Sequence, residues 1–214
     1  MESADALPRI IVVALDCSAD RIREYGTVDI PNAQGFGDRA GEYQQFLLDE
    51  VMPYIEREYP AATGPALTGI MGLSLGGLSA FDLAWRHPER FGRVGVLSAS
   101  FWWRTDDSSP KAKQASRIMH RRVRETAGRP ALRMWFESGR RDETSDRDSN
   151  GTIDAIQDTE ELMRELAAKG FVRDRDMVHV LAEGGHDLGT WRVMLPQLLV
   201  WLWGGPVTGL NGEQ

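Results

Sequence analysis

Short apolar runs alternate along this chain with segments whose apolar residues recur at helical spacing, and this alternation limits the possible folds. The run at residues 10–15 (IIVVAL) is apolar without interruption, as expected of a strand that is covered on both faces. Strands that alternate with helices form parallel sheets, because a parallel connection needs a long crossover. The sequence predicts a single α/β domain over residues 1–214, a mostly parallel sheet flanked by helices. The predicted strands are residues 10–15, 66–71, 93–97, 131–136 and 177–181.

The predicted helices lie between and after these strands, at residues 41–59, 75–86, 153–169 and 190–203. Pro53 lies inside the first of them and predicts a kink, because proline lacks an N–H and clashes with the preceding turn. The stretch at residues 105–129 is polar and basic, and we interpret it as a surface helix or excursion.

Composition argues against several classes of function. Thirty-two acidic residues against 25 basic ones give a net charge of −7, which opposes binding to nucleic acid. No apolar run has the length of a membrane span, so no membrane partner is expected. Residues 1–8 lack the basic and apolar regions of a signal peptide, which makes the cytoplasm the default expectation. Cys17 is the only cysteine, so no intrachain disulfide can form.

The most informative motif is Gly72-Leu73-Ser74-Leu75-Gly76, which fits G-x-S-x-G. It follows a predicted strand and opens a predicted helix, which is the context of the nucleophile turn of α/β-hydrolases. The glycines leave space for a sharp turn that raises the Ser74 hydroxyl above the sheet. The N–H of Leu75 would then point at a developing oxyanion. The alternative is a glycine-rich turn with a bystander serine.

Of the four histidines, His186 is best placed to act as a general base. It directly follows the predicted strand at residues 177–181, and ligands of parallel sheets bind at the carboxyl ends of strands. His87 ends a helix, His120 lies in an arginine-rich stretch that we interpret as surface, and His179 lies inside a strand.

The acid that orients the histidine is expected between serine and histidine in the chain, as in other α/β-hydrolases. Asp142 follows the fourth predicted strand and a glycine turn, so it can hold His186 in one tautomer and stabilise the imidazolium. Glu137 and Glu143 are competitors for this role. The alternative is a solvated charged loop in which Arg140 or Arg141 neutralises Asp142.

These residues resemble one family of esterases over nearly the whole chain. The family includes enterochelin esterases, esterase D and feruloyl esterases, and the chain is most similar to the catalytic domain of enterochelin esterases. The resemblance implies an α/β-hydrolase fold and ester hydrolysis through an acyl-enzyme, with Ser74, Asp142 and His186 on the triad positions. The stretches that carry it are residues 72–80 (GLSLGGLSA), 87–91 (HPERF), 98–103 (SASFWW), 137–142 and 184–191 (GGHDLGTW).

The resemblance also suggests a substrate site. The expected substrate is a small aromatic or siderophore-type ester, and catalysis is expected to require no cofactor. Arg23 lies in a stretch similar to a family loop and would pair with an anionic group, unless it forms a surface ion pair with Glu24 or Asp20. Phe101, Trp102 and Trp103 follow the third predicted strand and would form an aromatic pocket, unless they pack as a cap. Alternatives are a carbohydrate-linked acyl or feruloyl esterase and an acyltransferase of the same fold.

The chain departs from the family pattern at its start. The family places further strands and a glycine-rich loop before the strand at residues 10–15, and that loop normally supplies a second oxyanion N–H. Only nine residues precede Ile10, and none is glycine. We therefore expect an N-terminally incomplete domain, with a gap between the strands at residues 10–15 and 66–71. A catalytically silent hydrolase-like binding module is the corresponding alternative.

A second motif is an aspartate-rich loop that follows the first three-quarters of an EF-hand or dockerin calcium loop. Its oxygens would hold a structural Ca²⁺, although Gln157 replaces the bidentate acid at position twelve. The alternative is an Asn-Gly turn followed by a helix that Asp154 caps. The predicted ligands are Asp146, Asp148, Asn150, the Thr152 carbonyl and Asp154.

Overall fold

A computed structural model describes residues 7–204, which form a parallel four-stranded sheet in the order β1-β2-β3-β4. Consecutive strands are neighbours, so every connection between them crosses one face of the sheet. The predicted α/β fold is confirmed. The strands are β1 (Gly69–Leu73), β2 (Arg93–Leu97), β3 (Arg133–Arg141) and β4 (Met177–Gly185).

Helices cover the two faces of the sheet unequally. On one face α4, α6 and α7 enclose the larger core, with Phe81, Val94 and Phe136 among its fully buried side chains. On the other face α8 packs on Leu97 and Trp135. The helices are α1 (Arg21–Glu24), α2 (Ala40–Gln45), α3 (Met52–Glu58), α4 (Leu75–Arg86), α5 (Pro110–Ala115), α6 (Ile118–Glu125), α7 (Asp154–Ala168) and α8 (Leu188–Trp203).

Residues 10–15 do not form the predicted strand. They have no regular secondary structure, and Val12 is 73% exposed. The outer edge of β1 has no strand beside it within the described part of the chain, so the expected gap is open. A strand is stabilised by ladder hydrogen bonds to a neighbour, and an apolar run without one has no reason to extend as a strand.

Two other expectations need correction. Residues 105–129 do form helices, but they do not all lie at the surface, because α6 buries Ile118, Met119 and His120 against the core. The helix predicted at residues 41–59 is interrupted by a π-helical turn at Phe46–Val51, just before Pro53. The wider turn accommodates the proline, whose missing N–H and bulky ring do not fit a continuous α-helix.

No helix within residues 7–204 is long and apolar enough to cross a membrane.

Candidate active site

Ser74 lies at a strained turn between β1 and α4. Its φ of 55° and ψ of −123° lie outside the regions that non-glycine residues usually adopt. A Cβ at Gly72 would lie 2.1 Å from the Gly76 carbonyl oxygen, so the turn excludes any side chain there. As the first residue of α4, Leu75 has an N–H without an acceptor inside the helix. The turn therefore places the Ser74 hydroxyl and the Leu75 N–H next to each other at the carboxyl end of β1.

His186 reaches Ser74 from the loop that follows β4. The distance from His186 Nε2 to Ser74 Oγ is 2.8 Å, although the two residues are 112 positions apart. Thr190 braces the loop by accepting the Gly185 N–H at 3.0 Å, and the Asp187 side chain caps α8 by accepting the Thr190 N–H. The His186 side chain remains 40% exposed, which leaves the pair accessible to a substrate.

Asp142 lies beside His186 at the end of β3. One carboxylate oxygen accepts the Gly139 N–H at 3.0 Å, and the other lies 4.0 Å from His186 Nδ1. That second oxygen is buried and has no hydrogen-bond partner among the described residues. Its separation from the imidazole is longer than the hydrogen bond of about 2.6–3.2 Å that we expect in a working site.

Of the two competitors for the acid role, Glu137 is the deeper. It is 1% exposed, and its Oε2 accepts a hydrogen bond from the Ser98 hydroxyl at 3.3 Å. Burial, together with the charge of Asp142, raises the pKa of Glu137 to about 7. Glu143 lies near the start of α7, and burial raises its pKa as well.

The residues expected to bind substrate do not meet in one pocket. Phe101 and Trp103 are each 1% exposed and pack in the main core, so the cap-packing alternative describes them better. Of the three aromatic residues only Trp102 is open to solvent, with the Arg104 guanidinium 5.8 Å from the centre of its ring. Arg23 forms a two-point ion pair with Asp38 (3.0 and 2.6 Å), a partner that the sequence did not suggest.

The aspartate-rich loop is closed by its own hydrogen bonds. Asp146 accepts the N–H groups of Asn150 and Gly151, at 3.0 and 2.8 Å. Gln157 donates to Asp148 at 2.9 Å. These bonds describe an Asx-type turn of the kind that also occurs in calcium loops, so calcium binding stays a prediction.

Asp154 is held by Arg147, a residue of the same loop. It accepts the Arg147 N–H at 3.0 Å, and the Arg147 guanidinium lies 3.3 Å from the same carboxylate. Elsewhere in residues 7–204, His120, Asp158 and Glu161 lie close enough together to share an ion, but Arg117 already pairs with both carboxylates.

Sequence reasoning assigned no site role to Ser98 or Trp191. The Trp191 ring meets the His186 ring edge to face, with centroids 5.0 Å apart and planes at 80°. Its Nε1–H donates to Ser98 Oγ at 2.9 Å. Only the structure shows that the Trp191 ring faces the histidine.

A parallel sheet with helices on both faces, and a serine on a sharp strand-to-helix turn, define the α/β-hydrolase class. The chain belongs to the family described as "Putative esterase", which matches residues 2–202.

Three known proteins illustrate the similarity. An iron(III) enterobactin esterase of Dickeya dadantii is 30% identical over 163 residues, covering 73% of this chain and 34% of that protein. YbbA of Bacillus subtilis is 22% identical over 203 residues, covering 92% of this chain and 75% of YbbA. The solved enterochelin esterase of Shigella flexneri has a TM-score of 0.61 at 25% identity, over 76% of this chain and 37% of that one. The chain thus spans about a third of the enterobactin esterases.

Proposed function

We propose that the chain hydrolyses carboxylic esters through an acyl-enzyme formed on Ser74. The observation that carries this proposal is the 2.8 Å contact between Ser74 Oγ and His186 Nε2, at a strained turn that holds the hydroxyl above the sheet. A serine hydroxyl is a weak nucleophile until a base within hydrogen-bond reach takes its proton.

In the proposed reaction, His186 Nε2 accepts the Ser74 proton as Oγ attacks the ester carbonyl carbon. The Leu75 N–H stabilises the oxyanion that forms on the carbonyl oxygen. When the tetrahedral intermediate collapses, the imidazolium returns the proton to the departing alcohol. Water, deprotonated by His186, then cleaves the acyl-enzyme and releases the acid and free Ser74.

Asp142 stabilises the imidazolium in both steps. Its carboxylate is already oriented by the Gly139 N–H, and its free oxygen faces His186 Nδ1 from 4.0 Å. A movement of about 1 Å would bring the pair into hydrogen-bond distance, and catalytic hydrogen bonds often tighten only with substrate present.

The proposed substrate is a small aromatic or siderophore-type ester. Two observations support this class: the 30% identity to an iron(III) enterobactin esterase, and the exposed indole of Trp102 in the loop after β2. An exposed aromatic ring gives a catechol or benzoyl group a surface to stack on. Structural calcium in the aspartate-rich loop is a separate proposal and has no part in the chemistry.

Pre-steady-state hydrolysis of p-nitrophenyl acetate tests the activity. The wild-type chain should release a burst of p-nitrophenol equal to the concentration of sites. Ser74→Ala should abolish the burst and lower kcat by at least about 10⁴-fold with the fold unchanged. Ser108→Ala, which changes an exposed serine, is the matched control and should behave as wild type. Equal turnover by wild type and Ser74→Ala would disprove the proposal.

Enterobactin, compared with p-nitrophenyl acetate, tests the substrate class. We expect a higher kcat/KM for enterobactin, and the advantage should shrink in Trp102→Ala. An equal or lower kcat/KM for enterobactin would reject the siderophore assignment while leaving the esterase activity intact.

A further inference from the structure

Three buried or half-buried polar side chains near the candidate site have no part in the proposed reaction: Glu137, Ser98 and Trp191. We propose that they form a hydrogen-bonded chain that positions the imidazole of His186, an inference that rests on the proposed function. All three act through His186 and touch no reacting atom, so they are positioning residues.

The hydrogen-bonded chain runs from the middle of β3 to the first turn of α8. The Trp191 indole N–H donates to Ser98 Oγ at 2.9 Å, and the Ser98 hydroxyl donates to Glu137 Oε2 at 3.3 Å. Ser98 is therefore acceptor and donor at once, which fixes the direction of its hydroxyl hydrogen. At the other end of the chain, the Trp191 ring meets the His186 ring edge to face.

Ser98, in the middle of this hydrogen-bonded chain, is held in a strained backbone conformation. Ser98 has a φ of 46°, which is unfavourable for a residue with a side chain, and it is 4% exposed. Its N–H donates to the Glu137 carbonyl oxygen at 2.8 Å. Ser98 and Glu137 are thus joined through both main chain and side chain. The Ser98 hydroxyl is thereby held between Glu137 and Trp191.

Burial of Glu137 destabilises the fold, because a buried carboxyl group without full hydrogen bonding is unfavourable. Its Oε1 is buried without a partner in the part of the chain that the structure describes. An apolar residue at this position would fill the same space without that loss of stability. The arrangement is explained if the carboxyl oxygen is needed as the fixed end of the chain that orients Ser98 and Trp191.

His186 needs this support because its contact with Asp142 is long. At 4.0 Å, Asp142 exerts a weak directional pull on Nδ1. The edge-to-face contact with Trp191 limits the tilt of the imidazole, and it is effective only while the indole itself is fixed through Nε1–H. A small misplacement of a catalytic group can lower its rate of reaction by one to two orders of magnitude.

Phosphonylation of Ser74 by a p-nitrophenyl alkylphosphonate tests the inference. In this reaction the Oγ–P bond forms, p-nitrophenolate leaves, and the serine proton passes to His186. Ser98→Ala removes both side-chain hydrogen bonds with little change in volume, and Trp191→Phe keeps an aromatic ring but loses the N–H. In each variant we expect the maximal rate, kinact, to fall about tenfold while Ki stays within about twofold. The double variant should fall no further than the slower single one, because both changes break one chain.

Ser138→Ala is the matched control. Ser138 is also a buried serine and lies within β3, but it contacts His179 and Thr159 instead of the site. Ser138→Ala should lose about as much stability as Ser98→Ala does and keep the wild-type kinact. As a second readout, the ring nitrogen signals of His186 in NMR spectra should move in Ser98→Ala and not in Ser138→Ala.

The outcomes separate the two proposals. Wild-type chain that reacts while Ser98→Ala and Trp191→Phe keep the full kinact overturns this inference alone. An equal loss of kinact in Ser138→Ala also overturns it, because the effect would then come from general destabilisation. Wild-type chain that does not react at all overturns the proposed function, and this inference with it.

Discussion

Residues 10–15 and strand β2 are two apolar segments of similar length with opposite fates. In β2, Val94, Val96 and Leu97 are at most 1% exposed, and the strand pairs with β1 on one side and β3 on the other. In residues 10–15, Val12 is 73% exposed and no strand forms. Apolar composition alone therefore does not make a strand, because the ladder hydrogen bonds and the covered faces come from neighbours.

The candidate site depends on strands that are paired, as β2 is, and not on the unpaired segment at residues 10–15. Ser74, Asp142 and His186 all follow strands that are paired in the sheet, namely β1, β3 and β4. None of them depends on residues 10–15. The site should consequently tolerate changes in that segment and fail when the paired strands are disturbed.

The largest effect is expected from Gly72→Ala in β1. A Cβ there would lie 2.1 Å from the Gly76 carbonyl oxygen, so the nucleophile turn must open. We expect a loss of at least about 3 kcal/mol in the free energy of unfolding, measured by urea denaturation. Gly41→Ala, whose Cβ would have its nearest neighbour at 3.9 Å, should be neutral or stabilise the protein. Wild-type stability in Gly72→Ala would refute the description of the turn.

The next effect concerns pH and Glu137. Its pKa in the folded chain is about 7, against an ordinary value of 4.5, so between these values the folded state holds a proton that the unfolded state releases. The associated stability is present below about pH 4.5 and is lost as the pH rises through about 7. This pKa difference corresponds to a loss on the order of 3 kcal/mol in the free energy of unfolding over that pH range. In Glu137→Gln the decline over this window should be smaller, and an identical decline in both proteins would contradict the burial argument.

A valine-to-alanine substitution in β2 and another in residues 10–15 test the difference in burial between these two segments. Val96→Ala in β2 removes two buried methyl groups and should cost about 2 kcal/mol. Val12→Ala changes a side chain that is mostly in solvent and should stay within about 0.5 kcal/mol of wild type. Equal losses in the two variants, measured by urea denaturation, would mean that residues 10–15 are buried in solution.

The smallest effect is expected from calcium. With Gln157 in place of a bidentate acid, binding should be weak, with a Kd of about 10⁻⁴–10⁻³ M. At 1 mM Ca²⁺ this corresponds to a gain of about 0.4–1.4 kcal/mol in stability. Calorimetry on wild type and on Asp146→Ala/Asp148→Ala measures it, and identical heats in the two proteins would leave only the turn.

The sequence predicted the parts of the molecule that depend on local rules. Helix α4 and strand β2 begin and end where predicted, because Pro88 and the glycine-rich turn set clear limits. The convergence of Ser74 and His186 followed from strand ends meeting at one edge of a sheet.

What the sequence could not predict depends on partners that are distant in the chain. Periodicity could not show that residues 10–15 lack a neighbour, or that α6 is buried in spite of its arginines. Likewise, the ion pair of Arg23 with Asp38 and the contact of Trp191 with His186 are tertiary contacts without a local signature. For the same reason the sequence could not show which residues of the aromatic stretch after β2 face the core, as Phe101 and Trp103 do.

The central claim is that Ser74 is a nucleophile activated by His186, and its most direct test is the site of covalent labelling. The chain is treated with a fluorophosphonate, digested, and mapped by mass spectrometry. One adduct per chain is expected on the peptide that contains Ser74, absent in Ser74→Ala and strongly reduced in His186→Ala, with Ser108→Ala labelled as wild type. An unlabelled wild-type chain, or an adduct on another residue that persists in Ser74→Ala, would contradict the account.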